Sequence, residues 1–335
     1  MDASLKLALF ALLVAALSLA VAEAWRRWAL RRGVLDVPGH RSSHAVATPR
    51  GAGIGIVVAL VAGILLLAPA GIDRSAVIAG LVLAAVVGLV DDVRALPAAL
   101  KFAGQVLAAL PVAIALPLPA GLLPFALPEP LAMLGSAGLV LLFLNAWNFM
   151  DGIDGIAALA ACAVSSVVVV TAATAALPLA VAVALLAACV GFLPLNFPRA
   201  KAFMGDCGSH ALGLALAVLV LAAPSADTAW IALATAAAFL VDVLGTLALR
   251  AREGERLASA HRRHLYQLVT RSGYSHARVT TAYVAWMLAC GGVMLMAQST
   301  GMIGAGAALV FGVTAVTWRA LGRRYTRRLK ECGRW

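Results

Sequence analysis

Six aspartates carry most of the chemistry open to this chain. Asp91, Asp92, Asp151, Asp154, Asp206 and Asp242 each lie at or beside the end of a long apolar run. A carboxylate beside lipid is costly unless a cation, a proton or a hydrogen-bond donor compensates it. Carboxylates gathered with imidazoles and arginines at one water–lipid boundary suit a divalent cation and phosphate groups. The pair Asp91-Asp92 closes the run that begins Gly88-Leu-Val. Its two carboxylates repel each other, and a helix C-terminus disfavours both through its dipole. A neighbouring cation or proton is therefore expected, against the plainer reading of a solvated helix end.

Three further segments join them. Asn145-Ala-Trp-Asn-Phe-Met-Asp-Gly-Ile-Asp-Gly155 packs two amides, two carboxylates and two glycines between apolar runs. Asn148, Asp151 and Asp154 recur every third residue, so a helical turn would place them on one face. Capping explains one such residue, not four. The closing Glu and the spacing of an EF-hand are missing. In Asn196-Phe-Pro-Arg-Ala-Lys-Ala-Phe-Met-Gly-Asp-Cys-Gly-Ser-His210, the residues Gly205, Gly208 and Ser209 open a helix whose free N–H groups favour anions. Asp206 there either caps the helix or, beside a diphosphate, holds Mg²⁺. Phe203 either stacks on a base or anchors the interface. In His261-Arg-Arg-His-Leu-Tyr-Gln267, the HxxH spacing lacks the further ligands that zinc requires. Two readings of this segment stand, an Arg/His cluster facing phosphates and a plain basic loop. Asp242 needs a partner inside its run, and Arg250 is the candidate. Arg41-Ser-Ser-His44 and Thr48-Pro-Arg50-Gly51 close the first basic segment and present Arg50 to a phosphate.

The elements that position these residues are helices in a membrane. The chain has 335 residues, 63% of them hydrophobic and 12% charged, against about 25% charged in a soluble domain. Apolar runs fall near 5–25, 53–70, 75–90, 99–117, 130–147, 156–173, 178–195, 208–223, 228–247, 279–297 and 302–319. They are continuous rather than alternating, which excludes a barrel. The expected fold is an all-α polytopic membrane protein with about eleven transmembrane helices, a single domain over 1–335 with a basic tail at 320–335. With the N-terminus periplasmic and the C-terminus cytoplasmic, only Lys6 and Arg74 of the 26 basic residues fall outside. The first run is expected to stay as an anchor rather than to be cleaved. The net charge of +11 thus reads as an orientation signal and not as a nucleic-acid footprint. The cluster Arg319, Arg323, Arg324, Arg327, Arg328 and Lys330 adds attraction to anionic lipid headgroups. The inner loop over 248–278 has room for a short amphipathic helix. The five cysteines lack any metal or redox spacing and read as packing residues.

In order along the chain, the Asp-Asp pair, the NxxNxxDGxDG run and the FMGDxGS run resemble the polyprenyl-phosphate N-acetylhexosamine-1-phosphate transferase superfamily. The resemblance spans about Arg41 to Gln267. It implies transfer of a sugar 1-phosphate from a UDP-N-acetylhexosamine to undecaprenyl phosphate, with release of UMP, at a bacterial inner membrane. It implies Mg²⁺, replaceable by Mn²⁺, on Asp206. Asp91 and Asp92 would deprotonate or position the lipid phosphate, Asn148 and Asp151 would line the cleft, and His264 would meet the diphosphate. Asp154, Asn196 and Phe203 would hold the uridine. Arg50, Lys101, Asn145, His261 and Arg262 complete the expected substrate contacts. A homodimer is compatible with this reading.

Tyr266 and Gln267 stand where many members carry imidazoles. That departure resembles the O-antigen (lipopolysaccharide) branch, which uses deoxy sugars such as N-acetylfucosamine or N-acetylquinovosamine. The rival reading is an ion-coupled secondary transporter, which would place its carboxylates near the bilayer midplane in repeated halves. No repeat is visible in the sequence. A CDP-alcohol phosphotransferase is disfavoured because Asp154-Gly-Ile-Ala lacks the arginine and later carboxylates of that motif. A non-catalytic scaffold would not need the aspartates.

Overall fold

The computed structural model describes residues 3–38, 46–172, 175–257, 259 and 261–333. Arg41 and His44 lie outside the described residues. Helix α1 (Ala3–Arg32) leads into β1 (Leu35–Asp36) and β2 (Thr48–Pro49), an antiparallel pair with Leu35 opposite Pro49. There follow α2 (Ile54–Leu67), α3 (Ile72–Val93), α4 (Ala98–Ala115), α5 (Glu129–Met150), α6 (Ile156–Thr171), α7 (Ala176–Asn196) and α8 (Gly205–Leu221). The chain ends with α9 (Ala226–Thr235), α10 (Ala237–Arg252), α11 (Leu265–Arg271), α12 (His276–Ser299) and α13 (Ile303–Glu331).

All eleven apolar runs are helical, but they are not eleven full-length spans. Among the described residues seven helices (α1, α3, α4, α5, α7, α12 and α13) are long and apolar enough to cross a membrane, or eight spans if the bent pair α9–α10 is one. Helices α2, α6 and α8 hold only 14, 16 and 17 residues. At about 1.5 Å per residue these fall short of a hydrocarbon core about 30 Å thick. The ninth run bends by 67° between α9 and α10. No glycine or proline marks the break. Instead Thr235 Oγ1 donates to the Ile231 carbonyl at 2.7 Å, a back-bond that bends helices.

Helix α8 is the axis, buried from Gly205 to Leu221. Helices α3 and α5 pack along it, while α1, α2, α6 and α7 form one flank and α9, α10, α12 and α13 the other. Small residues let the backbones close up. A Cβ on Gly88 would stand 2.3 Å from the Asp206 carbonyl, so this contact of α3 with α8 requires glycine and delivers Asp91-Asp92 to the start of α8. The outer surface carries large apolar side chains such as Leu12, Leu134 and Val316, exposed by 66%, 67% and 70%. Lipid is the solvent that such a surface needs.

Candidate active site

Three helix ends meet at Asp206. Its carboxylate accepts from Arg50 Nη2 at 2.9 Å and from Lys101 Nζ. Arg50 Nε also lies 2.6 Å from Asp92 Oδ1, and Lys101 Nζ lies 3.0 Å from Asp91 Oδ2. Arg50 is aimed by its surroundings. The Phe203 N–H donates to the Pro49 carbonyl at 2.8 Å, and the Ala52 N–H donates to the Phe203 carbonyl at 3.0 Å. The Trp25 indole donates to the Arg50 carbonyl at 2.8 Å.

Asp92 does what the sequence assigned to Asp206 as a cap. Its Oδ1 and Oδ2 accept from the backbone N–H groups of Asp206 and Cys207 at 2.9 and 3.0 Å. Two of the free N–H groups expected to attract a substrate anion at the start of α8 are thus filled by a carboxylate of the chain itself. Gly205 makes room for it. With φ +72° and Asp92 Oδ2 only 2.3 Å from where a Cβ would sit, the position takes no side chain. Asp91 is fixed at the turn after α3, where its Oδ1 accepts from Leu96 N at 2.8 Å.

In front of Asp206 opens a cavity of about 260 Å³. Arg50, Asn148, Asp151, Asp154, Asn196 and Phe203 line it, with Asp36, Gln267 and His276. Asn148, Asp151 and Asp154 reach it from a broken helix and not from one helical face. Helix α5 ends at Met150, Asp151 is its C-cap, and Asp154 lies in the turn before α6. Asn148 Nδ2 donates to Ser209 Oγ at 3.1 Å. Asp151 is half-buried and its carboxylate has no hydrogen bond or ion pair to another described residue. Burial, reinforced by the charges of Asp206 and Asp92, pushes it up to about 7. Asp154 pairs with His276 Nδ1 at 3.2 Å. Asn196 braces the wall, with its Oδ1 accepting from Gly155 N and its Nδ2 donating to the Ala202 carbonyl, both at 3.0 Å.

Behind the carboxylates runs a buried polar chain that the sequence reading passed over. Asn145 Nδ2 donates to Gln105 Oε1 at 3.0 Å, and Gln105 Nε2 lies 3.1 Å from His210 Nε2. Because Gln105 accepts at its oxygen, its amide donates to His210, leaving the proton of a neutral ring on Nδ1. Asn145 therefore points into the α4–α8 interface and is not among the cavity-lining residues. Gln105 was detectable as a lone amide in an apolar run, and His276 as an imidazole at a helix start.

The 261–267 segment goes elsewhere. His264 is buried, stacks on Phe149, and places Nδ1 3.5 Å from Asp242 Oδ1. His261 stacks on His264 with centroids 4.9 Å apart, and burial together with the neighbouring charges of His264 and Arg250 lowers it to about 4. Arg262 lines a separate cavity of about 870 Å³. Gln267 is the residue of this segment that lines the carboxylate cavity. It also donates through Nε2 to the Tyr266 hydroxyl at 3.1 Å, and that hydroxyl donates to the Phe149 carbonyl at 3.0 Å. Asp242 is not paired with Arg250. It accepts from Leu265 N at 2.9 Å, the Tyr283 hydroxyl at 2.8 Å and Trp318 Nε1 at 3.1 Å, and so clamps α10 to α11, α12 and α13. Arg250 instead reaches Glu255 at 2.7 Å.

Among the described residues no three His, Cys, Asp or Glu side chains form a cage for a metal ion. Mg²⁺ does not ask for one, since it takes one or two carboxylates and fills its octahedron with water and substrate phosphate. Asp206 presents a carboxylate at the cavity wall, with Arg50 on its Oδ1 and Lys101 on its Oδ2, so a metal ion there would have to share or displace these cations.

Comparison with known proteins places this geometry in context. The sequence model of the family described as Glycosyl transferase family 4 matches residues 75–223. That stretch contains Asp91, Asp92, Lys101, the 145–155 run and Asp206. The chain is similar to decaprenyl-phosphate N-acetylglucosaminephosphotransferase of Mycolicibacterium smegmatis, with 33% identity over 350 residues, covering 91% of this chain and 85% of that protein. The protein of the same name from Mycobacterium tuberculosis is 31% identical over 343 residues, covering 87% and 83%. The probable undecaprenyl-phosphate N-acetylglucosaminyl 1-phosphate transferase of Bacillus subtilis is 29% identical over 211 residues, covering 58% and 57%.

Proposed function

Because the chain belongs to glycosyl transferase family 4, the polyprenyl-phosphate N-acetylhexosamine-1-phosphate transferases, we propose that it moves a sugar 1-phosphate from a UDP-N-acetylhexosamine to a polyprenyl phosphate, undecaprenyl phosphate first. The reaction starts a surface polysaccharide, with O-antigen as one such polymer, at the cytoplasmic face of the inner membrane. An oxygen of the carrier phosphate bonds to the sugar-bearing phosphorus, the diphosphate P–O bond breaks, and UMP leaves with the electron pair. The observation that carries this reading is the meeting of Arg50, Lys101, Asp91, Asp92 and Asp206 beside a cavity at helix ends. Relatives named for N-acetylglucosamine support that sugar ahead of the deoxy sugars.

Both reactants are anions, so charge and positioning dominate. Arg50 and Lys101 offset the repulsion, each tethered to two carboxylates and so aimed rather than free. Asp206 would hold Mg²⁺, which when bound supplies a Lewis acid for the diphosphate. Asp92 is a positioning residue, since its carboxylate is spent on α8 and Arg50. Asp151 takes the proton from the carrier phosphate. Phe203, Asp154 and His276 offer a ring and a carboxylate–imidazole contact to the uridine, and Gln267 stands at the cavity wall to meet the diphosphate or the sugar.

Purified protein with Mg²⁺ is expected to release UMP from UDP-N-acetylglucosamine only when polyprenyl phosphate is added. Asp206→Ala should lose roughly a hundredfold or more of that rate while still inserting in the membrane. Undiminished turnover by that variant overturns the assignment. UDP-N-acetylgalactosamine, UDP-N-acetylfucosamine and UDP-N-acetylquinovosamine in parallel identify the donor.

A further inference from the structure

A second and larger cavity, about 870 Å³, lies between the end of α10, the residues Glu253, Glu255, Arg262 and Arg263, α11 and α13. The proposed reaction makes no use of it. Arg319, Arg323 and Arg327 recur every fourth residue, share one face of α13, and all line it. None of the three has a hydrogen bond or ion pair to another described residue. Of the three acids on its wall, Glu255 pairs with Arg250 at 2.7 Å and with Arg263 at 2.5 Å, Glu253 pairs with Arg263, and Glu331 pairs with no described residue. The cavity is thus positive, with seven Arg and Lys side chains on its wall against three Glu.

An apolar groove of about 380 Å³ adjoins it between α10 and α13, walled by Leu240, Leu244, Ala248, Phe311 and Ala315. Leu249, Trp318 and Arg319 line both spaces, so the groove opens into the cavity. Trp318 marks the junction. It is held there by Asp242 at 3.1 Å, an indole at the level where membrane proteins place them.

A greasy channel ending on three uncompensated guanidinium groups matches a molecule with a hydrocarbon tail and a phosphate head. We propose that the α10–α13 groove and the adjoining cavity form a binding site for an anionic glycerophospholipid, its acyl chain along Leu244 and Phe311 and its phosphate on Arg319, Arg323 and Arg327. The occupant is not the polyprenyl phosphate carrier. Helix α11 stands between this cavity and the carboxylate site, with Gln267 on one side and Leu265, Leu268 and Arg271 on the other. A carrier phosphate here would face no Asp206. The site does not depend on the proposed transfer reaction.

Native mass spectrometry of the full chain, released from detergent and titrated with single lipids, tests this. Phosphatidylglycerol should be retained about tenfold or more tightly than phosphatidylcholine. The double variant Arg323→Glu, Arg327→Glu should erase that preference. Ala315→Phe, which fills the groove, should weaken phosphatidylglycerol while leaving inorganic phosphate binding unchanged. Equal retention of the two phospholipids overturns the proposal. So does a preference that survives the charge reversal, or tighter retention of undecaprenyl phosphate. If the double variant does not fold, Arg327→Gln alone must still reduce phosphatidylglycerol retention, and an unchanged value overturns the site equally.

Discussion

Asp151 is the residue whose protonation decides most in the proposed reaction. Burial and neighbouring carboxylates raise it to about 7, near the second ionisation of a phosphate monoester at about 6. A base with that value must lose its proton to work. The transfer rate should fall about tenfold per unit as pH drops below the pKa of Asp151, which a cation on Asp206 would draw below 7, and Asp151→Asn should remove the limb together with most of the activity. Stability moves the other way. The folded state binds this proton more tightly than the unfolded chain, whose carboxylate has its ordinary value near 3.8. The charged form therefore costs stability above about pH 7, and the cost fades as pH falls toward 4. Asp151→Asn should melt a few degrees higher than the parent at pH 8, by scanning fluorimetry in detergent, and no higher at pH 4. An Asn variant that melts lower at pH 8 would contradict the buried, uncompensated carboxylate.

At the scale of elements, the site is held by caps rather than by its loops. Asp92 ends α3 and begins α8, tying two helices that Gly88 has already brought into backbone contact. Asp92→Ala would orphan two N–H groups and strip Arg50 of one partner. The loss of the two capping bonds is worth about 1 kcal/mol, and Arg50, one-third exposed, keeps only its contact with Asp206. The expected outcome is a clear drop in melting temperature and faster hydrogen exchange at residues 205–208. Asp91→Ala should show less of both, because its carboxylate touches the start of α8 only through Lys101. Equal losses from the two variants would mean that Asp92 is not the cap that seats α8.

At the scale of the whole molecule, the bilayer organises the chain. Helix α13 has 29 residues, about 43 Å at 1.5 Å per residue, so its arginine-rich end must project beyond the hydrocarbon. Cys332 lies exposed at that end, while Cys189, Cys207 and Cys290 are buried. The positive-inside bias predicts a cytoplasmic Cys332. A membrane-impermeant maleimide should label it in inverted vesicles and not in intact cells, and labelling from outside would reverse the topology.

Much of this was legible in the chain, because apolarity and charge are local properties. Continuous apolar runs had to become helices, since only a helix satisfies its own backbone in lipid. Aspartates at run ends had to meet a cation, a proton or a hydrogen-bond donor. Partner choice is not local. Asp92 rather than Asp206 caps α8, Asp242 takes Tyr283 and Trp318 in place of Arg250, and His264 turns inward while Gln267 faces the cavity. The bend after Thr235 and the Gln105–His210 pair depend in the same way on what packs alongside. The sequence by itself determined that this is a helical membrane protein with ionisable groups at its helix ends. The tertiary structure alone decided which of those groups share a cavity. Burial and hydrogen-bond geometry choose among equally charged candidates, and both exist only once distant helices have packed.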